Sequence, residues 1–202
     1  MNIDNKYLKA LSRNDLSQWL VHFCKLTPMA NGTTLDAFGA LKNILDASKL
    51  FASKRESITQ YEPAGATCFY DIPPMMYQQV IETNPNNRRG YGVIISKTTF
   101  WALGGRPVIY TDNTTPDYWP INERFKLVYT DLCKSKPVDW THEREWRVRG
   151  DLNLQQLYTG GFWWPCVEKI IDSQIVLRNF PQINQIYIIE LGKIINRNEI
   201  II

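Results

Sequence analysis

Apolar side chains fall in short runs along this chain, and the spacing within each run predicts its structure. From Trp19 to Leu26, WLVHFCKL is a run of apolar and aromatic residues that predicts a strand, with His22 inside it and Pro28 and Asn31-Gly32 ending it. TTLDAFGALKNILDASKLFAS has Leu35, Phe38, Leu41, Ile44 and Leu45 at helical spacing behind a Thr cap and an early Asp, which predicts an amphipathic helix. ATCFYDIPPMMYQQVIETN predicts a short strand, an abrupt turn and a helix opening at the proline pair. After the polar loop NPNNRRG, YGVIISK and RPVIYTD are β-branched strands separated by TTFWALGG, whose paired glycines suit a tight turn. INERFKLVYTDLCK places Phe125, Val128, Tyr129 and Leu132 at i, i+3, i+4 and i+7 and predicts a second amphipathic helix. DWTHEREWRV and INQIYIIEL predict further strands. Many short strands with a few helices make the chain α+β.

Composition narrows this little. At 202 residues there is room for one domain with a proper core, taken as 1–202, and 44% hydrophobic with 21% charged residues suits a soluble globular protein. A formal charge of +3 permits a phosphate-bearing partner without requiring one. Cys24, Cys68, Cys133 and Cys166 form no CxxC pair, so neither a zinc site nor a disulfide framework is expected, and a reducing cytoplasm fits best. The first residues lack an apolar run behind basic ones, and no stretch approaches the roughly eighteen consecutive apolar residues of a membrane span. Secretion and membrane insertion are therefore not expected.

The densest polar chemistry lies in DWTHEREWRV. Strand alternation would put Glu143, Glu145 and Arg147 on one face and His142, Arg144, Trp146 and Val148 on the other. An exposed strand with cross-strand ion pairs has this composition. So does a site in which two carboxylates, roughly 7 Å apart at Cα, act on a sugar, one stabilising an oxocarbenium-like centre and the other positioning or deprotonating a nucleophile. Arg106, after the diglycine of GGRPVIY, suits a pyrophosphate as well as a plain hairpin. Phe69 and Tyr70 suit stacking on a planar ring as well as core packing. Cys24 and His22 share a strand face but have no orienting partner, which gives a cysteine hydrolase little support.

WLVHFCK, AFGALKNILDASKLFAS, CFYDIPPMMY, YGVIISK, GGRPVIYTD and DWTHEREWRV together resemble, in that order, the bacterial abortive-infection family called AbiGi-like and, more distantly, the DarT-type nucleic-acid ADP-ribosyltransferases. The resemblance spans roughly residues 18 to 150. It implies an ADP-ribosyltransferase-like split β core of two small sheets with flanking helices, and NAD+ as substrate in the cleft between them. His22 matches the histidine that contacts the nicotinamide ribose, Phe69 and Tyr70 the aromatics around the nicotinamide, Glu145 the catalytic glutamate of a Q/ExE pattern, and Glu143 the upstream position that orients the acceptor. Phe23 and Tyr91 complete the implied NAD+ contacts. Where DarT proteins carry an arginine after the aromatic pair this chain has Asp71, so Lys97 or Arg106 is expected to hold the pyrophosphate.

The implied activity is mono-ADP-ribosyl transfer to a macromolecule, with a DNA or RNA base the favoured acceptor, in a bacterial toxin or phage-defence effector neutralised by an antitoxin protein. No metal is required. An NAD+ glycohydrolase and a catalytically silent nucleotide- or partner-binding module are the alternatives. Trp163, Trp164 and Pro165, in the segment beyond Gly150 that matches less well, suit either an aromatic platform or the core.

Overall fold

A computed structural model of the protein describes residues 17–28, 32–83, 89–112, 115–157 and 162–200. The eight strands of its main sheet are β1 (Trp19–Phe23), β2 (Ala66–Tyr70), β3 (Gly92–Ser96), β4 (Arg106–Pro107), β5 (Glu145–Arg149), β6 (Trp163–Val167), β7 (Gln185–Ile188) and β8 (Lys193–Asn196). Among the described residues five α-helical segments accompany them: α1 (Ala37–Ala47), α2 (Glu56–Thr59), α3 (Tyr77–Thr83), α4 (Lys97–Ala102) and α5 (Ile170–Asn179). Sheet order is β8-β7-β6-β3-β1-β2-β5-β4, antiparallel except for β6 and β7, which α5 connects as a parallel crossover. The architecture is α+β, built on a large mixed sheet.

Both faces of the sheet are covered, which explains why β3 and β6 are buried at every position rather than alternating with polar residues. Period-two geometry divides their side chains between two clusters. Leu20, Phe69, Val93, Ile95 and Trp163 pack with Leu41 and Leu45 of α1 and Val176 and Leu177 of α5. Val21, Tyr70, Ile94, Trp164 and Tyr187 pack on the other side with Tyr77 and Ile81 of α3. Trp163 and Trp164 are thus core residues, 6% and 8% exposed.

One seam interrupts this regularity. β1 pairs with β3 through five residues but with β2 through only one pair, Val21 opposite Tyr70. Beyond that pair the strands part, and a cleft opens between them.

Several elements differ from their sequence pattern for identifiable reasons. The first strand stops at Phe23. α1 is capped by Asp36, whose Oδ1 accepts from the Gly39 N–H at 2.6 Å, rather than by a threonine. TTFWALGG folds as α4 because the Ser96 side chain caps it at the Thr99 N–H. INERFKLVYTDLCK is not an α-helix: it forms a 3-10 turn over Ile121–Lys126, then a strand, Leu127–Tyr129, parallel to Ile109–Thr111. Its helical spacing is coincidental, since Phe125 is buried with Ile58 and Ala66 while Leu132 is 62% exposed. The strand expected over 139–148 begins only at Glu145, after a 3-10 turn at Thr141–Glu143. Asn31, most of the predicted 84–90 loop and the first sixteen residues lie outside the described residues. Among the described residues no helix is long and apolar enough to cross a membrane.

Candidate active site

The cleft at the seam, about 500 Å3, is lined by His22 and Phe23 of β1, Cys68 and Tyr70 of β2, and Glu145 and Arg147 of β5, with Phe51, Arg55 and Ser57 closing it from the α2 side. A second hollow of about 410 Å3 adjoins it, lined by Tyr129, Trp140 and His142. Lys25, Arg55, Ser57, Glu143, Glu145 and Arg147 line both. The volumes fall in the range of small-molecule sites. Both glutamates singled out by the sequence therefore face one continuous depression.

Glu145 is 8% exposed and sits in the wall beside Tyr70, its cross-strand partner. Two residues on, and on the same strand face, Arg147 donates from Nε to Oε1 and from Nη2 to Oε2, both at 3.0 Å. Its Nη1 reaches the Phe125 carbonyl at 2.6 Å, fixing the guanidinium from the far side. Burial opposes the charge on Arg147, but attraction to Glu145 outweighs it and holds the arginine pKa above its ordinary value. The Cys68 thiol is pushed up by burial and by the neighbouring Glu145 charge, so it stays protonated. The main chain at Glu145 is tied as well: its N–H donates to Tyr110 Oη at 3.0 Å, and its carbonyl accepts from the Val108 N–H at 2.9 Å.

Glu143 reaches the cleft by a route other than strand alternation. It ends the 3-10 turn, and Arg144 then adopts φ 45°, a left-handed conformation that costs a non-glycine residue about 1–2 kcal/mol. That corner turns Glu143 toward the cleft and also brings His142, assigned by alternation to the opposite face, into the second hollow.

The His22 ring bridges the seam. Its Nδ1 donates to the Cys68 carbonyl at 2.8 Å, which leaves Nε2 as the acceptor nitrogen. Burial lowers the His22 pKa against the opposing effect of that hydrogen bond, and the Lys25 charge lowers it further, so the imidazole is neutral at pH 7.

Of the other residues expected to contact a nucleotide, Phe23 and Tyr70 line the cleft. Phe69 does not: it is fully buried on the other side of the sheet, 4.8 Å from the Phe100 ring and 5.8 Å from His22, and so backs the histidine. Tyr91 lies outside the cleft, against Phe38 and bonded through its hydroxyl to Asp172 at 3.0 Å. Lys97 is held by Asp71 at 2.7 Å and lies 5.8 Å from the Trp146 ring centroid. Arg106 donates to the Trp101 and Gly105 carbonyls and stacks on the Trp101 ring at 3.7 Å. Neither cation lines the cleft; Lys25, Arg55 and Arg147 do. Lys25 and Arg55 were missed because each is a charged loop residue like any solvated one, whereas Arg147 was legible from its two-residue spacing to Glu145. Among the described residues no group of His, Cys, Asp and Glu could hold a metal ion, and all four cysteines are unpaired. No protein-family model matches the chain, and no curated protein or solved structure matches it significantly.

Proposed function

We propose that the protein is a mono-ADP-ribosyltransferase that takes NAD+ and transfers its ADP-ribose to a macromolecular acceptor, a nucleic-acid base being favoured. The observation that carries this reading is the convergence of Glu143 and Glu145 with His22, from a strand more than a hundred residues earlier, on one cleft. Cleaving the nicotinamide–ribose bond of NAD+ puts positive charge on the ribose and releases neutral nicotinamide. The Glu145 carboxylate, held in place by the Arg147 fork, stabilises that charge as it develops. Neutral His22 offers Nε2 to a ribose hydroxyl, and Lys25 and Arg55 supply positive charge for the pyrophosphate. The acceptor enters by the second hollow, where Trp140 and Tyr129 offer aromatic surface and Glu143 stands on the shared wall to take the acceptor's proton. On this proposal the β1–β2 seam takes the role that the split between sheets has in an ADP-ribosyltransferase core. In this reading the protein acts as a bacterial toxin or phage-defence effector with a neutralising antitoxin.

Labelled NAD+ incubated with single-stranded DNA, duplex DNA, RNA and protein tests the proposal. Label transfer abolished by Glu145→Gln supports it; transfer that survives that substitution removes Glu145 from the mechanism. Free ADP-ribose without a labelled macromolecule would identify water as the acceptor. A second reading, a catalytically silent nucleotide-binding module, is favoured by the Arg147 fork, which occupies a lone pair on both Glu145 oxygens. Calorimetric NAD+ binding without turnover would select it.

A further inference from the structure

We propose that Asp71 is a positioning residue for this site, acting through Arg144 to hold the corner that sends Glu143 into the cleft beside Glu145. The functional consequence rests on the ADP-ribosyltransferase reading; the structural one does not. Asp71 directly follows β2 and does not line either hollow. It grips Arg144 twice: its N–H donates to the Arg144 carbonyl at 3.1 Å, and its Oδ2 accepts from Arg144 Nη2 at 3.1 Å. Lys97 Nζ meets the same oxygen at 2.7 Å.

Two features of this cluster are unfavourable in isolation. Arg144 is left-handed at φ 45°, where glycine or asparagine would fold with less strain. Asp71 is 6% exposed, and its buried Oδ1 has no hydrogen-bond partner among the described residues. Glycine at 144 would relieve the first but has no guanidinium to reach Asp71. The side chain retained at that position is therefore the one that ties the corner to β2. Were Arg144 released from this conformation, the Thr141–Glu143 turn would lose its fixed angle to Glu145, and Glu143 would leave its place on the shared wall. A displacement of that kind near 1 Å is enough to slow a positioned reaction about a hundredfold.

Asp71→Asn removes the charge and keeps the shape. Hydrogen exchange resolved to residues 141–145 is expected to accelerate about tenfold or more in this variant while the β3 amides keep their protection. In the label-transfer assay kcat is expected to fall about tenfold or more with KM for NAD+ within about twofold, since Lys25 and Arg55 are untouched. Arg144→Asn, at a side chain 35% exposed, keeps a residue tolerant of the left-handed conformation, and reproduces both effects even if Asp71→Asn does not fold. The double variant is expected to be no worse than either single one. Unchanged exchange at 141–145, acceleration spread equally over β3, or additive losses in the double variant would each overturn the proposal. If the wild-type protein consumes no NAD+, the enzyme reading fails, and exchange alone decides the role of Asp71.

Discussion

Replacing Arg147 by methionine isolates the electrostatics of the candidate site. The guanidinium and the Glu145 carboxylate are 8% and 9% exposed as side chains, so neither is served by water once its partner is gone. Removing one member of such a buried pair costs about 3–5 kcal/mol, far more than the pair is worth as a whole. The Phe125 carbonyl also loses its charged donor at 2.6 Å. For a chain of this length the loss corresponds to a fall in Tm of about 6–20 °C. The double variant Glu145→Leu/Arg147→Met leaves no isolated charge; the Phe125 carbonyl, and more weakly the Leu127 carbonyl at 3.4 Å, lose the Arg147 donor, a deficit of about 1–3 kcal/mol. It is therefore expected to be more stable than Arg147→Met alone by about 2 kcal/mol. Urea unfolding at pH 7, followed by tryptophan fluorescence for the wild type, both single variants and the double, measures all four corners of the cycle. A loss below about 1 kcal/mol for Arg147→Met, or a double variant no more stable than the single, would mean that water reaches the pair and that the electrostatic argument is wrong.

Two further outcomes follow from named contacts. Because burial lowers the His22 pKa below 6.5, the unfolded chain binds the proton first on acidification. The His22 contribution is complete above that pH and is lost as pH falls from there toward the folded value. Urea midpoints should decline over that window, and His22→Asn should flatten the decline; parallel slopes would show that His22 is not the titrating group. Asp36→Ala removes the cap on the Gly39 N–H and should destabilise the protein by about 1 kcal/mol, whereas Asp36→Asn should restore most of it. Equal losses in the two variants would place the effect elsewhere than the cap.

What the chain reveals before folding depends on whether a residue's environment is set locally. His22 stands out as a polar residue in an apolar run, Glu145 lies in the densest polar stretch of the chain, and the apolar positions of α1 repeat at its own period, so all three were legible. α5 was not, because Ile170, Ile171 and Ile175 are 38–57% exposed while Ser173 is fully buried, which scrambles the stripe a reader looks for. The strand at Leu127–Tyr129 was hidden by a helical spacing that only its pairing with Ile109–Thr111 overrides. The left-handed corner at Arg144 leaves no sequence mark, since the residue there is neither glycine nor asparagine. The cations of the cleft follow from tertiary proximity alone: Lys25 and Arg55 lie in different segments that the fold brings to the same wall.

The single pairing between β1 and β2 makes the width of the cleft a soft coordinate in an otherwise stiff sheet. Val21 opposite Tyr70 and the ring bond from His22 to Cys68, 46 residues apart in sequence, hold the two sides together there, whereas β1 and β3 are locked by five pairs. A guest wedged at the seam therefore displaces few strand bonds, so the cleft can adjust to ligands of different thickness while β1 and β3 stay paired. Cleft width rests on these few contacts, and global stability on many more. Substitutions at Val21, Tyr70 or Cys68 act on the first with a leverage that their small share of the core would not suggest.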